Sequence, residues 1–195
     1  MNEKNPDLSN APMRYDTMKA LFLAYFNLIG LEFIDAQNIP ETGGAIIAAN
    51  HITNFDPFAV AQPTKRRVHF MGKKELFQSP LGKWFQEGGN SFPVDRSRAD
   101  MGAIKTAIRI LKAGQLLVIF PQGTRGGKAP KDGVGFIALK GNAPIVPAGI
   151  SLQPNWFGQK RYVIRYGPPI PAAGSSEELT GKVMAAIGKL IEKPQ

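Results

Sequence analysis

The chain has 195 residues, of which 43% are hydrophobic, and this is enough for one domain of ordinary size with a core. It contains no cysteine, which excludes disulfides, thiolate metal sites and a cysteine nucleophile. With 24 Lys and Arg against 15 Asp and Glu, the formal charge is +9, so we expect an anionic partner. Nucleic acid, a phosphate-bearing substrate and an anionic membrane surface would all fit. No recognition helix, zinc finger or RNA-binding aromatic motif is present, so we expect no nucleic-acid partner.

The N-terminal region combines a polar start with an apolar helix. Residues 1–12 are polar, which predicts a disordered start without a secretory signal. A helix is expected over residues 13–29, and its apolar and aromatic run, residues 20–29, is preceded by basic residues. That run is far shorter than the roughly 20 apolar residues that span a bilayer. A helix lying in the headgroup region of a membrane and a helix packed in the core fit this pattern about equally well.

Strands and helices are predicted to alternate along the rest of the chain, residues 31–195. Short apolar runs predict strands, and apolar residues at helical spacing predict helices. The predicted strands are residues 31–35, 45–49, 67–71, 91–94, 116–120, 145–150 and 162–166, and helices are predicted after Pro57, Ser79, Asp100 and Ser175 and over residues 134–140. This alternation predicts a single α/β domain with a mixed, largely parallel sheet flanked by helices.

A histidine and a carboxylate follow the apolar strand that ends at residue 49. The imidazole of His51 can take a proton near neutral pH, and Asp56 on its other ring nitrogen would set the tautomer and stabilise the imidazolium. On one straight helix this spacing would separate the side chains by about 140°, so the pairing requires a turn. As alternatives, Asp56 before Pro57 is a good helix N-cap, and His51 could be an ordinary loop histidine.

Two further predicted strands also end in polar residues, Asp95-Arg96 and Gly123-Thr124-Arg125. If these ends lie on one side of the sheet with His51, the site holds a base, its orienting carboxylate and two arginines suited to phosphate. Glycines there would let backbone N–H groups approach a ligand. The alternatives are a surface ion pair of Arg96 with Asp95 and a tight turn at the glycines. Three such strand ends favour a site over these alternatives.

Metal and nucleotide sites are less well supported. His51, Asp56 and His69 could together bind a metal, but His69 lies inside an apolar strand and no metal-ligand spacing is found, so we expect no metal. The P-loop pattern Gly-x-x-x-x-Gly-Lys-Ser/Thr is absent.

Four segments resemble, in order, the motifs of the glycerolipid acyltransferases of the 1-acylglycerol-3-phosphate (lysophosphatidic acid) acyltransferase type. They are residues 50–56 (Asn-His-Ile-Thr-Asn-Phe-Asp), 92–96 (Phe-Pro-Val-Asp-Arg), 120–125 (Phe-Pro-Gln-Gly-Thr-Arg) and 146–148 (Val-Pro-Ala). The match extends from about residue 31 to residue 150. Gln122 departs from the family, which usually has glutamate there, and Gly126 replaces a common serine.

The resemblance implies an enzyme that moves a fatty acyl group from an acyl-CoA or acyl-carrier-protein thioester to a hydroxyl of a lysophospholipid. The expected acceptor is 1-acylglycerol 3-phosphate, and the product is phosphatidic acid. His51 would be the general base and Asp56 would orient it. The phosphate would be held by Arg96, Arg125, Gly123, Thr124 and Lys73, and the loops would be shaped by Asn50, Pro121 and Gln122. The thioester is a co-substrate, and no cofactor is expected.

The resemblance and the positive charge together imply a peripheral or monotopic enzyme on the cytoplasmic face of an anionic membrane, docked by the N-terminal helix. Two alternatives stay open. One is a non-catalytic binder of anionic lipid or carrier protein with the same fold, for which Gln122 is the argument. The other is an acyltransferase with a different lipid acceptor, because pocket shape and tunnel depth decide the acceptor and the chain length.

Overall fold

A computed structural model describes residues 12–95, 97, 100–121, 133–154 and 160–192. The described residues form six helices and seven strands: α1 (Pro12–Ile29), β1 (Leu31–Ile34), β2 (Ala45–Ala49), α2 (Asp56–Val60), β3 (Val68–Lys73), α3 (Pro80–Gly88), β4 (Ser91–Val94), α4 (Met101–Lys112), β5 (Leu116–Ile119), α5 (Gly133–Gly141), β6 (Ile145–Pro154), β7 (Lys160–Tyr166) and α6 (Ser176–Glu192). Single 3-10 turns lie at Ala36–Asn38 and Lys74–Phe77. The prediction of a disordered start over residues 1–12 falls on residues outside this description, except for Pro12, which begins α1.

All of these strands belong to one sheet with the order β1-β7-β6-β2-β5-β3-β4. From β6 to β4 every neighbouring pair is parallel, whereas β7 runs antiparallel to β6 and parallel to β1. The predicted α/β domain with a mixed, largely parallel sheet is therefore confirmed. The carboxyl ends of β2, β5, β3 and β4 lie along the same side of the sheet, which we call the carboxyl edge.

Helices cover both faces of the sheet. Helices α1 and α2 lie on the face that includes Ile47, and α4, α5 and α6 lie on the face that includes Ile46. Helix α3 packs on the α2 side, where the Phe85 ring contacts the ring of Phe58. These two neighbours in β2 join different clusters because successive side chains of a strand point to opposite faces. Every residue of β2 and β5 is buried, as expected of central parallel strands covered on both sides.

Local sequence signals located the helix starts well. The side chains of Ser79 and Asp100 each accept a hydrogen bond, of 3.0 Å, from the backbone N–H three residues later. Ser175 and Glu178 form the predicted capping box, with two reciprocal bonds of 3.2 Å. A cap of this kind contributes about 1 kcal/mol, which is enough to decide where a helix begins.

Helix α1 has both a buried and an exposed side. Tyr15, Met18 and Phe26 are buried against the domain, whereas Leu21 and Leu28 are 67% and 86% exposed. None of the described helices is both long enough and apolar enough to cross a membrane. The predicted helix is confirmed, and its core-packed side accounts for part of its apolar sequence.

Candidate active site

His51 and Asp56 meet directly after β2. The His51 Nδ1 atom lies 2.7 Å from Asp56 Oδ2, the Asp56 side chain is fully buried and the His51 side chain is 21% exposed. The required turn is present, since the Asp56 N–H donates to the carbonyl of Thr53. The N-cap alternative for Asp56 is wrong, because Phe55 is the N-cap residue of α2 and the Asp56 carboxylate turns back to the preceding loop.

The buried Asp56 carboxylate is surrounded by hydrogen-bond donors. Its Oδ2 atom accepts from the backbone N–H groups of Ile52 (2.5 Å) and Thr53 (2.7 Å), and its Oδ1 atom accepts from the Thr53 hydroxyl (2.8 Å). An ionised carboxylate can only accept, so the proton between it and His51 belongs to Nδ1. In this tautomer the Nε2 atom of His51 carries the lone pair, as a general base requires.

The end of β5 packs against this pair. The His51 ring stacks on the Phe120 ring with 4.4 Å between centroids and 24° between planes. Strand β5 lies beside β2, with Ala48 opposite Ile119, so both chain segments leave the sheet at the carboxyl edge. The predicted arrangement of these two strand ends on one side of the sheet is confirmed.

Asn50 ties the start of the His51 loop to β6. Its side-chain amide donates to the carbonyl of Ile150 (2.9 Å) and accepts from the Ile150 N–H (2.7 Å). The amide thus replaces a backbone rung at the point where the chain leaves the β2–β6 ladder. This contact supports the predicted loop-shaping role of Asn50.

The remaining predicted site residues lie along the carboxyl edge or outside the described part of the chain. Lys73 ends β3 and is exposed, and Pro121 directly follows Phe120. Asp95 follows β4, and its carboxylate lies 3.8 Å from the Lys74 ammonium. The predicted phosphate-binding residues Arg96, Gly123, Thr124 and Arg125, together with Gln122, are not among the described residues.

Sequence reasoning missed three residues of the site. Thr53 has a visible signal, since a hydroxyl three residues before a buried carboxylate can reach it in a turn. Phe120 belongs to the third motif, but the sequence gives no signal that its ring contacts the imidazole. Tyr162, whose hydroxyl lies 2.6 Å from Thr53 Oγ1, is 109 residues away from Thr53 and has no local signal.

Comparison with known proteins decides the family. The family model described as Acyltransferase matches residues 30–151, more than half of the chain. The chain belongs to the acyltransferase family. This acyltransferase is 32% identical to the 1-acyl-sn-glycerol-3-phosphate acyltransferase of Bacillus subtilis, over 84% of this chain and 85% of that protein. A Streptococcus pneumoniae protein of the same name is 33% identical, over 64% of this chain and 49% of that protein.

The fold of the acyltransferase also matches a solved structure. The crystal structure of the LPA acyltransferase PlsC from Thermotoga maritima has a TM-score of 0.74 and 24% identity, and the match covers 91% of this chain and 78% of that one. The family model and the B. subtilis relative confirm the resemblance inferred from the four motifs. The chain is an enzyme, an O-acyltransferase of the 1-acyl-sn-glycerol-3-phosphate acyltransferase family.

His69, the third ligand of the possible metal site, is instead a buried residue of β3. Among the described residues no group of three or more His, Asp and Glu side chains could hold a metal ion. The pKa of His69 is lowered to about 4, chiefly by burial and also by the positive charge of Arg67, while a hydrogen bond with the Asn90 backbone opposes the shift. The imidazole is therefore neutral in the folded acyltransferase at neutral pH.

His69 should make the stability of the acyltransferase depend on pH. Its pKa falls from 6.5 to about 4 on folding, so between these values the unfolded chain binds more protons and acidification favours unfolding. The contribution is complete above pH 6.5 and decreases by about 2 kcal/mol by pH 5. Urea unfolding at pH 7 and pH 5 should show a smaller pH dependence for His69→Gln than for wild type. A pH dependence of His69→Gln equal to that of wild type would contradict this account.

Proposed function

We propose that this enzyme transfers a fatty acyl group from acyl-CoA or acyl-carrier protein to the free hydroxyl of 1-acylglycerol 3-phosphate, which yields phosphatidic acid. One observation carries the proposal: a buried carboxylate orients His51 so that Nε2 is free to act as a base at the carboxyl edge. The names of its relatives support the acceptor, because the B. subtilis and S. pneumoniae proteins are both called 1-acyl-sn-glycerol-3-phosphate acyltransferases.

The proposed reaction is a direct transfer. His51 Nε2 takes the proton of the acceptor hydroxyl while that oxygen attacks the thioester carbonyl carbon. Asp56, 2.7 Å from Nδ1, stabilises the imidazolium that forms. When the tetrahedral intermediate collapses, the carbon–sulfur bond breaks and the departing thiolate receives the proton from His51. Because the acceptor oxygen attacks the thioester directly and the thioester supplies the driving force, the proposed reaction needs neither a cofactor nor a covalent acyl-enzyme.

We place the phosphate of the acceptor further along the carboxyl edge, beside β3 and β4. Lys73 ends β3, two strands from β2, and β4 lies one strand further, about 14 Å from β2. In the proposal Lys73 and Arg96 both contact the phosphate. In the proposal Arg125, Gly123 and Thr124 complete the phosphate site from the segment after Phe120. Gln122 would keep an acceptor oxygen there without a charge.

The test is thiol release from acyl-CoA with a set of matched acceptors. We expect release with 1-acylglycerol 3-phosphate and little with 1-acylglycerol, which has the same 2-hydroxyl but a free hydroxyl in place of the phosphate. Glycerol 3-phosphate, which has the phosphate but no acyl chain, tests whether the acyl chain of the acceptor is required. Acyl-carrier protein replaces acyl-CoA in a parallel series to identify the donor.

The outcomes distinguish the proposal from its two alternatives. Release with glycerol 3-phosphate but not with 1-acylglycerol 3-phosphate would favour an acyltransferase with a different acceptor. If neither donor supports release with any of these acceptors, the proposal is wrong, and a non-catalytic binder with Gln122 as its altered position would be favoured.

We further propose that an apolar surface beside the site docks the enzyme peripherally on the cytoplasmic face of an anionic membrane. This docking surface consists of Leu21, Tyr25 and Leu28 on α1, Phe55, and Leu81, Trp84 and Phe85 on α3, all at least 36% exposed. Contacts between aromatic rings connect the three parts of this surface. The ring centroid of Tyr25 lies 5.6 Å from that of Phe55, and the Phe22 centroid lies 6.3 Å from that of Phe55 and 6.4 Å from that of Phe85. Phe55 directly precedes Asp56, so a docked lipid would lie next to the base.

Acidic residues on the docking surface should weaken membrane binding. The double variant Leu21→Asp/Leu28→Asp should bind vesicles of phosphatidylglycerol and phosphatidylethanolamine at least tenfold more weakly, because two leucines no longer enter the headgroup region. Both side chains are exposed, so thermal unfolding should change little. Flotation measures the bound fraction.

The matched control is Ala20→Asp/Asn27→Asp, which adds the same charges one residue earlier on exposed positions of α1. It keeps both leucines and should bind more tightly than the leucine variant. Equal binding by the two double variants would contradict a role for the apolar side chains.

A further inference from the structure

A hydrogen-bond chain connects Asp56 to the far strand β7. The Tyr162 hydroxyl lies 2.6 Å from Thr53 Oγ1, and Thr53 Oγ1 lies 2.8 Å from Asp56 Oδ1. The Thr53 hydroxyl has one proton, and a carboxylate oxygen can only accept, so that proton points to Asp56. Thr53 Oγ1 must then accept from Tyr162, whose hydroxyl is the donor at the start of the chain.

Tyr162 is well placed to anchor this chain. It is 5% exposed, its ring packs edge-on against Phe26 at 5.5 Å, and its N–H donates to the Gly30 carbonyl. Burial raises the pKa of the Tyr162 hydroxyl, the bond with Thr53 opposes this, and the charge of Asp56 raises it further. The hydroxyl therefore remains protonated and available as a donor at physiological pH.

Both oxygens of Asp56 are held by the loop after β2, but only Oδ1 is also linked to the sheet. Oδ2 accepts from Ile52, Thr53 and His51, which all belong to the loop after β2. At Oδ1, the Thr53 hydroxyl connects the carboxylate to Tyr162 on β7. A carboxylate held only by its own loop would move with that loop, whereas a link to β7 fixes its plane relative to the strands.

We propose that Tyr162 is a positioning residue for acyl transfer, which acts through Thr53 to hold Asp56 in the orientation that His51 needs. This inference rests on the proposed roles of His51 and Asp56. Tyr162 touches neither the imidazole nor a reacting atom in this account. Its removal should therefore weaken catalysis without abolishing it.

The first test replaces Tyr162 by phenylalanine, which keeps the ring and its contact with Phe26. We expect kcat to fall about 3- to 10-fold, the range for one neutral hydrogen bond, with KM for donor and acceptor unchanged. The matched control is Tyr166→Phe. Tyr166 lies on the same strand and face, is fully buried, and its hydroxyl donates to the Val60 carbonyl (2.9 Å) instead. Tyr166→Phe should lower thermal stability and leave kcat unchanged.

Substitutions of Thr53 test the middle of the hydrogen-bond chain from Tyr162 to Asp56. Thr53→Val removes the hydroxyl and keeps the shape, so it should lower kcat at least as much as Tyr162→Phe does. Thr53→Ser keeps the hydroxyl and should retain most of the activity. The double variant with Tyr162→Phe and Thr53→Val should be no slower than Thr53→Val alone, because both changes break one chain.

A spectroscopic measurement decides the inference independently of the substrate. The Nδ1 proton of His51, assigned by its loss in His51→Gln, should change its NMR shift in Tyr162→Phe and stay unchanged in Tyr166→Phe. An unchanged kcat and an unchanged Nδ1 signal in Tyr162→Phe would overturn the inference, as would equal effects in Tyr166→Phe. If His51→Ala is inactive and Tyr162→Phe is not impaired, only the inference fails. If His51→Ala is fully active, the proposed mechanism itself fails.

Discussion

Replacing His51 by alanine should reduce acyl transfer about 10²- to 10⁴-fold, which is the usual contribution of general base catalysis. The reason is geometric, since Asp56 holds the Nδ1 proton and leaves Nε2 as the base at the carboxyl edge. The fold should survive, because His51 lies in a loop and its side chain is 21% exposed. Initial rates of thiol release and a thermal unfolding curve measure the two effects separately.

His69→Gln is the matched control for this substitution. It changes the chain's other histidine, which is buried in β3 with its imidazole neutral at neutral pH. Its kcat at pH 7.5 should stay near that of wild type. A His51→Ala enzyme with wild-type kcat would contradict the assignment of the base.

Asp56→Asn should be almost as damaging, with a loss of about 10²- to 10⁴-fold in kcat. Ile52, Thr53 and His51 all donate to one oxygen, Oδ2, so the amide of asparagine either turns its N–H groups against these three donors or keeps its oxygen there and turns its N–H groups toward Thr53 Oγ1. In both orientations the imidazole faces a neutral group, which stabilises the imidazolium far less than a carboxylate does. The lost bonds should also lower the free energy of unfolding by about 1–3 kcal/mol.

Asp35→Asn is a control for the chemical change alone. Asp35 is exposed and has a φ of 58°, a conformation that asparagine adopts as readily as aspartate. This variant should match wild type in both kcat and stability. If Asp56→Asn kept its kcat within a factor of three of wild type, the orienting role of Asp56 would be wrong.

Local chemistry explains why much of the fold was predictable. The caps at Ser79, Asp100 and Ser175 depend on residues three positions away, so the sequence displays them directly. Pairing between distant strands is not displayed in this way. β6 was predicted to end at Ile150, but it continues to Pro154 because β7 pairs with that polar segment. The position of β7 between β1 and β6 likewise depends on tertiary contacts.

The same distinction between local and distant contacts applies to the candidate site. His51 and Asp56 lie five residues apart after one strand, and their pairing could be inferred once a turn was assumed. Tyr162 could not be found in this way, because it occupies an alternating strand whose other inward residues, Ile164 and Tyr166, simply fill the core. Only the folded sheet brings its hydroxyl within 2.6 Å of Thr53.

The central claim is best tested by identifying the product. Purified enzyme is incubated with acyl-CoA, or with acyl-carrier protein, and 1-acylglycerol 3-phosphate in anionic vesicles, and the lipids are analysed by mass spectrometry. The account predicts phosphatidic acid that carries the acyl chain of the donor, and only background levels with His51→Ala. Equal amounts from wild type and His51→Ala, or no phosphatidic acid from wild type with either donor, would contradict it.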